Sequence, residues 1–328
     1  MCLWKFIVSI IANSGAFEKI FLPFPLRHPI PFRRIGWDIK ERERMEMGER
    51  LNFWILGGDP RQQALAEALA GDGHEVHTYA LEETPGESLE GIWEAHCVVL
   101  PLPAAQGENL NAPLCAREVP LAEVLDPLLP GQLVCAGMVS PFLREQAESR
   151  GLHLEDYFAR EELAVANAVP SSEGAIQIAM EELPITLHGA RVLVIGAGRL
   201  GKVLCQQLMG LGAQVAVAAR KYADLAWIQV RGGRAVRSDR LAGALEDYDL
   251  ILNTVPAPLL DRAALETLRP GGLVIDLASK PGGVDFDAAR ELGVKVIWAL
   301  SLPGKVAPVT AGRAIQTAIY NLLTELGV

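Results

Sequence analysis

Two stretches of this chain superimpose without a gap at an offset of 139 residues. WILGGDPRQQALAEALAGDGHEVHTYA, starting at Trp54, lies on LVIGAGRLGKVLCQQLMGLGAQVAVAA, starting at Leu193. Gly57 falls on Gly196, Leu69 on Leu208, Gly71 on Gly210, Gly73 on Gly212 and Val76 on Val215. Each stretch reads as an apolar strand, a glycine turn, a helix and a second apolar strand. Such a unit can bury its faces only by stacking helices onto a parallel sheet. Two copies therefore predict two parallel sheets. True duplication and the shared grammar of any two βα units both account for the match.

The remaining pattern fits that division. Strands are predicted at LNFWIL, HEVHTYAL, CVVLPLP, GQLVCAG and HLEDY in the first half, and at ARVLVIG, AQVAVAA, RAVR, DLILNTV, GGLVIDLAS and KVIWAL in the second. Between them, RQQALAEALA, LAEVLDPLL and SPFLREQAESRG read as helices, the last with Ser140-Pro141 at its start. AREELAVANAVPSSEGAIQIAMEELPITLHG reads as a helical linker broken at Pro170 and again near Pro184. The expected architecture is α/β, with two Rossmann-like, doubly wound parallel-sheet domains and a cleft between them. Its parts are residues 51–165, residues 166–310 with the leading linker helix, and a C-terminal helix over 311–328 that packs back on the hinge or the first domain. Residues 1–50 lack hydrophobic period, mixing a short apolar run, a Pro- and Arg-rich stretch and the charge run DIKERERMEMGER. They read as a poorly ordered extension, with Met45 and Met47 as further candidate starts and residues 1–44 expected to be dispensable.

Half of the 328 residues are hydrophobic, enough for two cores, and the formal net charge is −10. That balance argues against nucleic acid or an anionic membrane as the main partner. No segment reaches the roughly 18 apolar residues of a membrane span. The five cysteines, Cys2, Cys97, Cys115, Cys135 and Cys205, form no C-x-x-C pair, which suits reduced cytoplasmic thiols and no metal site. None of the six histidines follows His188, so the late acid/base histidine of D-2-hydroxyacid dehydrogenases is missing.

GAGRLG, Gly196 to Gly201, is a G-x-G-x-x-G between an apolar strand and an apolar helix. Gly196 permits the turn, Gly198 lets backbone approach a pyrophosphate, and Gly201 lets the helix lie close. Arg199 and Leu200 open that helix and are assigned to the cofactor with the glycines. Arg220 and Lys221 follow the second strand where an acid would mark NAD. They favour NADP, with NAD left open. The loop Asn253, Thr254, Val255, Pro256 is expected over the cofactor. DLASKPGGVDF and LPGKVAPVTAG follow the last two strands as loops at the same sheet edge. Lys280 and Lys305 on them are candidates to face a carboxylate.

The first copy departs from the fingerprint where it matters. Ala197 becomes Gly58, Gly198 becomes Asp59 and Gly201 becomes Gln62. A carboxylate would repel a pyrophosphate, and Gln62 fills space that close packing needs. This copy is expected to bind no dinucleotide. With Asp59, Arg61 and Gln62 it is expected to form half of a substrate site, Arg61 presenting its planar fork to a carboxylate. A purely structural cap and ion pair between Asp59 and Arg61 is the other reading.

GGDPRQQALAEALAGDGHEV, NAVPSSEGAIQIAMEE, VLVIGAGRLG, NTVPAPLL, DLASKPGGVDF and LPGKVAPVTAG together resemble the dipicolinate synthase A-subunit family of spore-forming bacteria. The resemblance covers about residues 51–328. It implies a dehydrogenase subunit that works in the mother-cell cytoplasm with a flavoprotein-like partner, the dipicolinate synthase B-subunit. Its substrate would be a small cyclic dicarboxylate at the dihydro- or 4-hydroxy-tetrahydrodipicolinate level, and its product dipicolinate. Lys280 and Glu173 are then the candidates for acid/base work. A homodimer is left open. A nucleotide-binding chain that only supports that partner, and a shikimate dehydrogenase-like enzyme acting on another cyclic acid, stay open as alternatives.

Overall fold

The computed structural model describes residues 50–83, 88–241, 243 and 245–328. The N-terminal stretch read as an extension lies outside the described residues up to Glu49.

The first sheet holds β1 (Asn52–Leu56), β2 (Glu75–Tyr79), β3 (Cys97–Val99), β6 (Leu133–Ala136) and β7 (His153–Asp156). Its strand order is β2-β1-β3-β6-β7, and every pairing is parallel. A two-strand hairpin, β4 (Ala105–Gln106) with β5 (Asn109–Leu110), occupies what reads in sequence as a plain loop. The central strands are apolar at nearly every position because both faces are covered. Helix α1 (Pro60–Gly71) lies on one face; α2 (Leu121–Leu125) and α3 (Pro141–Ser149) lie on the other. Asp59 caps α1 by accepting from the Arg61 N–H at 3.0 Å, and Ser140 caps α3 through the Leu143 N–H at 3.1 Å. The predicted helix LAEVLDPLL is shorter than expected, ending at Leu125.

Helix α4 (Glu161–Glu182) joins the two sheets. The expected break at Pro170 is absent, and the helix runs through it. A mid-helix proline costs about 3 kcal/mol through its missing N–H and its ring. Pro170 is buried, and α4 packs on three other helices, so tertiary burial offsets that cost. The Ser171 hydroxyl bonds back to the Asn167 carbonyl at 2.7 Å in the same turn.

The second sheet holds β8 (Arg191–Ile195), β9 (Gln214–Ala219), β10 (Arg234–Arg237), β11 (Leu250–Asn253), β12 (Leu273–Asp276) and β13 (Lys295–Trp298). Its order is β10-β9-β8-β11-β12-β13, again all parallel. Helices α5 (Arg199–Gly210), α6 (Tyr222–Val230), α7 (Arg262–Leu265) and α8 (Phe286–Leu292) connect its strands. The two sheets are thus the doubly wound α/β units that the sequence pattern predicts.

LPGKVAPVTAG is not a loop. It forms α9 (Leu302–Val306) and the start of α10 (Pro308–Leu326). Helix α10 returns to the first sheet and packs along α1. Ile315, Ala318, Ile319, Leu322 and Leu323 share one buried cluster with Phe53, Ile55, Leu65 and Leu69. Each such large side chain contributes roughly 1.5–3 kcal/mol when buried. The crossing is close: a Cβ at Gly312 would stand 2.6 Å from the Arg61 carbonyl oxygen. No described helix is long and apolar enough to cross a membrane.

Candidate functional site

In an open parallel sheet, ligands bind at the carboxyl ends of the strands where the strand order reverses. In the second sheet that point lies between β8 and β11. Gly196 there has φ +108°, and a Cβ on it would stand 2.3 Å from the Thr254 Oγ1. A Cβ on Gly201 would meet the Gly196 carbonyl at 2.0 Å, so α5 lies directly on the turn. Gly198 is different, because a Cβ on it would meet nothing within 4 Å. Its bare face and the free N–H groups of the first turn of α5 leave the space and the donors that a pyrophosphate needs.

A cleft of about 470 Å³ opens from this turn, with Gly196, Gly198, Arg220, Lys221 and Val255 on its wall. Asp224 and Ser238 also line it. The sequence reading missed both, because neither belongs to a motif. Ser238 arrives from the end of β10, and Asp224 from the first turn of α6. Cations and one carboxylate therefore share the end of the cleft that would hold the adenosine ribose.

Several residues assigned to the cofactor from sequence do other work. The Arg199 side chain turns to α4 and pairs with Glu161 at 3.2 Å. Leu200 packs on the apolar core, and Pro256 is exposed. Thr254 donates its hydroxyl to the Ile195 carbonyl at 2.9 Å. Asn253 is fully buried, with its amide engaged inside the protein. Its Nδ2 donates to the Asp276 Oδ1 at 2.8 Å and to the Val255 carbonyl at 3.0 Å. Asp276, also fully buried, accepts in addition from the Ala278 N–H at 3.0 Å and the Gly283 N–H at 2.8 Å. Three donors on one carboxylate offset the cost of burying it. This pair locks the loops after β11 and β12 together. Lys280 projects from the locked loop into solvent and has no polar partner among the described residues. An acid ending a buried strand just before a glycine-rich loop was the signal for Asp276.

The first sheet reverses order between β1 and β3. Here Arg61 takes the geometry of the structural reading, paired with Asp59. Its Nε donates to the Asp59 Oδ1 at 2.9 Å and its Nη2 to the Oδ2 at 2.7 Å, so that edge of the fork is already occupied. Nη2 also reaches the Leu102 carbonyl at 2.6 Å. Arg61 is only 8% exposed; Nη1 alone has no partner among the described residues. Gln62, assigned from sequence to the substrate, lies inside the domain. It is fully buried, with Nε2 3.5 Å from the Tyr157 hydroxyl, and its side chain packs against Gly58. Burial pushes the Tyr157 phenol far above its ordinary range, so it stays protonated and donates to the Leu100 carbonyl at 2.9 Å.

The two sheet edges meet at α9. A Cβ on Gly304 would stand 2.9 Å from the Arg61 Nε and 3.2 Å from the Asp59 Oδ2. The element following the last strand of one sheet thus covers the first turn of the other. Lys305, the next residue, is exposed there. Glu173 is exposed on α4 beside Gly174, where that helix touches Leu302 and Val306 of α9. It makes no ion pair among the described residues.

Residues 52–158 match the family described as the N-terminal domain of the dipicolinate synthase A-subunit. Residues 163–327 match the alanine dehydrogenase/PNT C-terminal domain. The dipicolinate synthase A-subunit of Bacillus subtilis (strain 168) is 30% identical over 293 residues, which is 84% of this chain and 97% of that protein. The chain belongs to the dipicolinate synthase A-subunit family. Two crystal structures bear the same family name. The Bacillus halodurans protein superimposes with a TM-score of 0.76 at 29% identity, covering 84% of this chain and 99% of its own. The Bacillus subtilis protein gives 0.77 at 31% identity, covering 86% and 98%. As a member of the dipicolinate synthase A-subunit family with a dehydrogenase-type domain, the chain has an oxidoreductase-type role and a nicotinamide cofactor.

Proposed function

We propose that this chain is the dehydrogenase component that makes dipicolinate, taking a hydride from a dihydrodipicolinate-level precursor with NADP⁺ as acceptor. A flavoprotein-like partner, the B-subunit, and the mother-cell cytoplasm complete this reading, as the family resemblance implies. The observation that carries it is the meeting of the two sheet edges at Gly304 and Arg61. It packs the helix that follows the last strand of the second sheet onto the opening turn of the first sheet, which supports a site that draws residues from both.

The bound nicotinamide would supply the hydride acceptor. The protein's own residues have a modest task, because loss of hydride and a proton aromatises the ring. Gly198 and the first turn of α5 would hold the pyrophosphate, while Arg220 and Lys221 would favour the 2′-phosphate. Lys280 and Lys305 are free cations for the two substrate carboxylates. Glu173 is the base that takes the ring proton. If the precursor still carries the 4-hydroxyl, Lys280 gives the proton on which water leaves. Helix α9, packed on the opening turn of the first sheet, would help to exclude water and to orient the ring.

A second reading is favoured by one observation. Arg61 and Gln62 are already engaged inside the first domain. A chain that binds the nucleotide only to support its partner would need no free groups there. One experiment separates the two. Purified chain, with and without the flavoprotein-like partner, receives the precursor and NADP⁺ or NAD⁺ while the reduced-nicotinamide absorbance is followed. Turnover by the chain alone supports the dehydrogenase reading. Nucleotide binding without reduction under either condition defeats it.

A further inference from the structure

Arg220 and Lys221 stand on the wall of the nucleotide cleft, on a turn with few anchors of its own. Lys221 occupies the N-cap of α6, and its side chain makes no capping bond. Tyr222, which opens that helix, is 78% exposed. Long cationic side chains on an unsupported turn must be ordered when a phosphate arrives, and that ordering costs affinity.

One side chain reaches this turn from the neighbouring strand. Arg237 ends β10, and its backbone pairs with Ala219, the residue before Arg220. Its Nη1 donates to the Arg220 carbonyl at 3.1 Å. Its guanidinium lies 4.8 Å from the centre of the Tyr222 ring, a cation–π contact. Arg237 thus grips the residues on both sides of Lys221. Its Nε donates to the Asp239 Oδ1 at 3.1 Å and its Nη2 to the Oδ2, so a carboxylate offsets its charge. Arg220, Lys221 and Ser238 are among the described residues lining the cleft, and Arg237 is not. What it adds to the cleft is therefore geometry more than charge.

We infer that Arg237 is a positioning residue for cofactor selection, clamping the Arg220–Lys221 turn to the end of β10 so that both cations are held ready for the 2′-phosphate. This rests on the NADP reading above and extends it to a residue that lies outside the cleft and outside every motif. The same strand end carries Ser238 to the cleft wall, so one clamp fixes both sides of the phosphate's surroundings. Only a planar fork can bond a carbonyl, pair with a carboxylate and stack on a ring at once.

The test is fluorescence titration of the full chain with NADPH and with NADH. Arg237→Ala should weaken NADPH binding by roughly two- to tenfold, the span expected for one hydrogen bond, and leave NADH binding nearly unchanged. Arg237→Lys keeps the charge but not the fork, and should lose as much. Recovery of NADPH affinity in Arg237→Lys would show that charge alone matters and overturns the inference. In a chain already carrying Arg220→Ala and Lys221→Ala, Arg237→Ala should cost almost nothing further, because the groups it positions are gone. A full additional loss in that background overturns the inference and leaves the NADP reading standing. Loss of both nucleotides together with a lower melting temperature assigns Arg237 a structural role and also overturns it. If the parent binds NADPH no more tightly than NADH, the NADP reading fails and this inference with it.

Discussion

Gly304 and Arg61 meet where the second sheet's last connection covers the first sheet's opening turn, with room for no side chain between them. Arg61 cannot simply swing aside, because Asp59 and the Leu102 carbonyl hold its guanidinium. Gly304→Ala should therefore displace α9 and cost about 1–3 kcal/mol, as overpacked sites do. Thermal unfolding of the variant checks this. An unchanged melting temperature would show that α9 yields freely.

Arg61→Ala removes a nearly buried cation from a carboxylate that is still 27% exposed on its side chain. Breaking a fully buried pair costs roughly 3–5 kcal/mol; partial exposure of Asp59 reduces this to about 1–3 kcal/mol. Stability should fall before any ligand is considered. The double variant with Asp59→Ala separates the pair from the helix cap, since Asp59 also caps α1. If the single variant melts like the parent while dipicolinate affinity drops, the free Nη1 is the important part of Arg61.

Arg220 and Lys221 stand on the cleft wall with Asp224. Replacing both cations by alanine should weaken NADP(H) by roughly 1.5–3 kcal/mol, the worth of a charge-assisted contact, and NAD(H) far less. Asp224→Asn should act in the other direction and favour the phosphorylated cofactor. Fluorescence titration with the two reduced nucleotides reads both effects. Equal losses for the two nucleotides in the double alanine variant would sink the NADP assignment.

His74 gives a pH signature. Burial lowers its pKa below the ordinary 6.5, against the pull of the Asp72 charge. Its Nδ1 accepts from the Leu51 N–H at 3.3 Å, which a protonated ring cannot do. The unfolded chain takes up a proton near the ordinary value and the folded chain resists it. This contribution to stability is therefore present above about pH 7 and declines as the pH falls through about 6.5. Melting temperatures from about pH 8 to 5.5 should fall less steeply for His74→Gln than for the parent.

The strand and glycine grammar made both sheets legible in the sequence, because the central strands are short apolar runs buried on two faces. The glycine cradle was legible for the same reason: Gly196, Gly198 and Gly201 have distinct local tasks at fixed spacing. What stayed hidden was decided by distant packing. Pro170 looks like a helix breaker until the helices around α4 are known. The pairing of Arg61 with Asp59 was open in the sequence, but its hold on the Leu102 carbonyl, 41 residues away, was not. Gln62 is polar in sequence and fully buried in the fold. Ser238 and Asp224 reach the nucleotide cleft only because β10 pairs with β9 and α6 leaves the sheet there.

Helix α10 closes the first sheet's core, yet it begins roughly 150 residues after that sheet's last strand. A nascent chain that has released only the first sheet exposes Phe53, Ile55, Leu65 and Leu69 with one wall missing. The first half must then wait through the synthesis of the whole second sheet before it can settle. A ribosome adding about 5–20 residues per second imposes a delay of many seconds. During that interval the unfinished half is open to chaperones and to aggregation. The two halves look separable by sheet, but they should fold and be expressed as one body. A fragment ending near residue 160 should be recovered mainly as insoluble material.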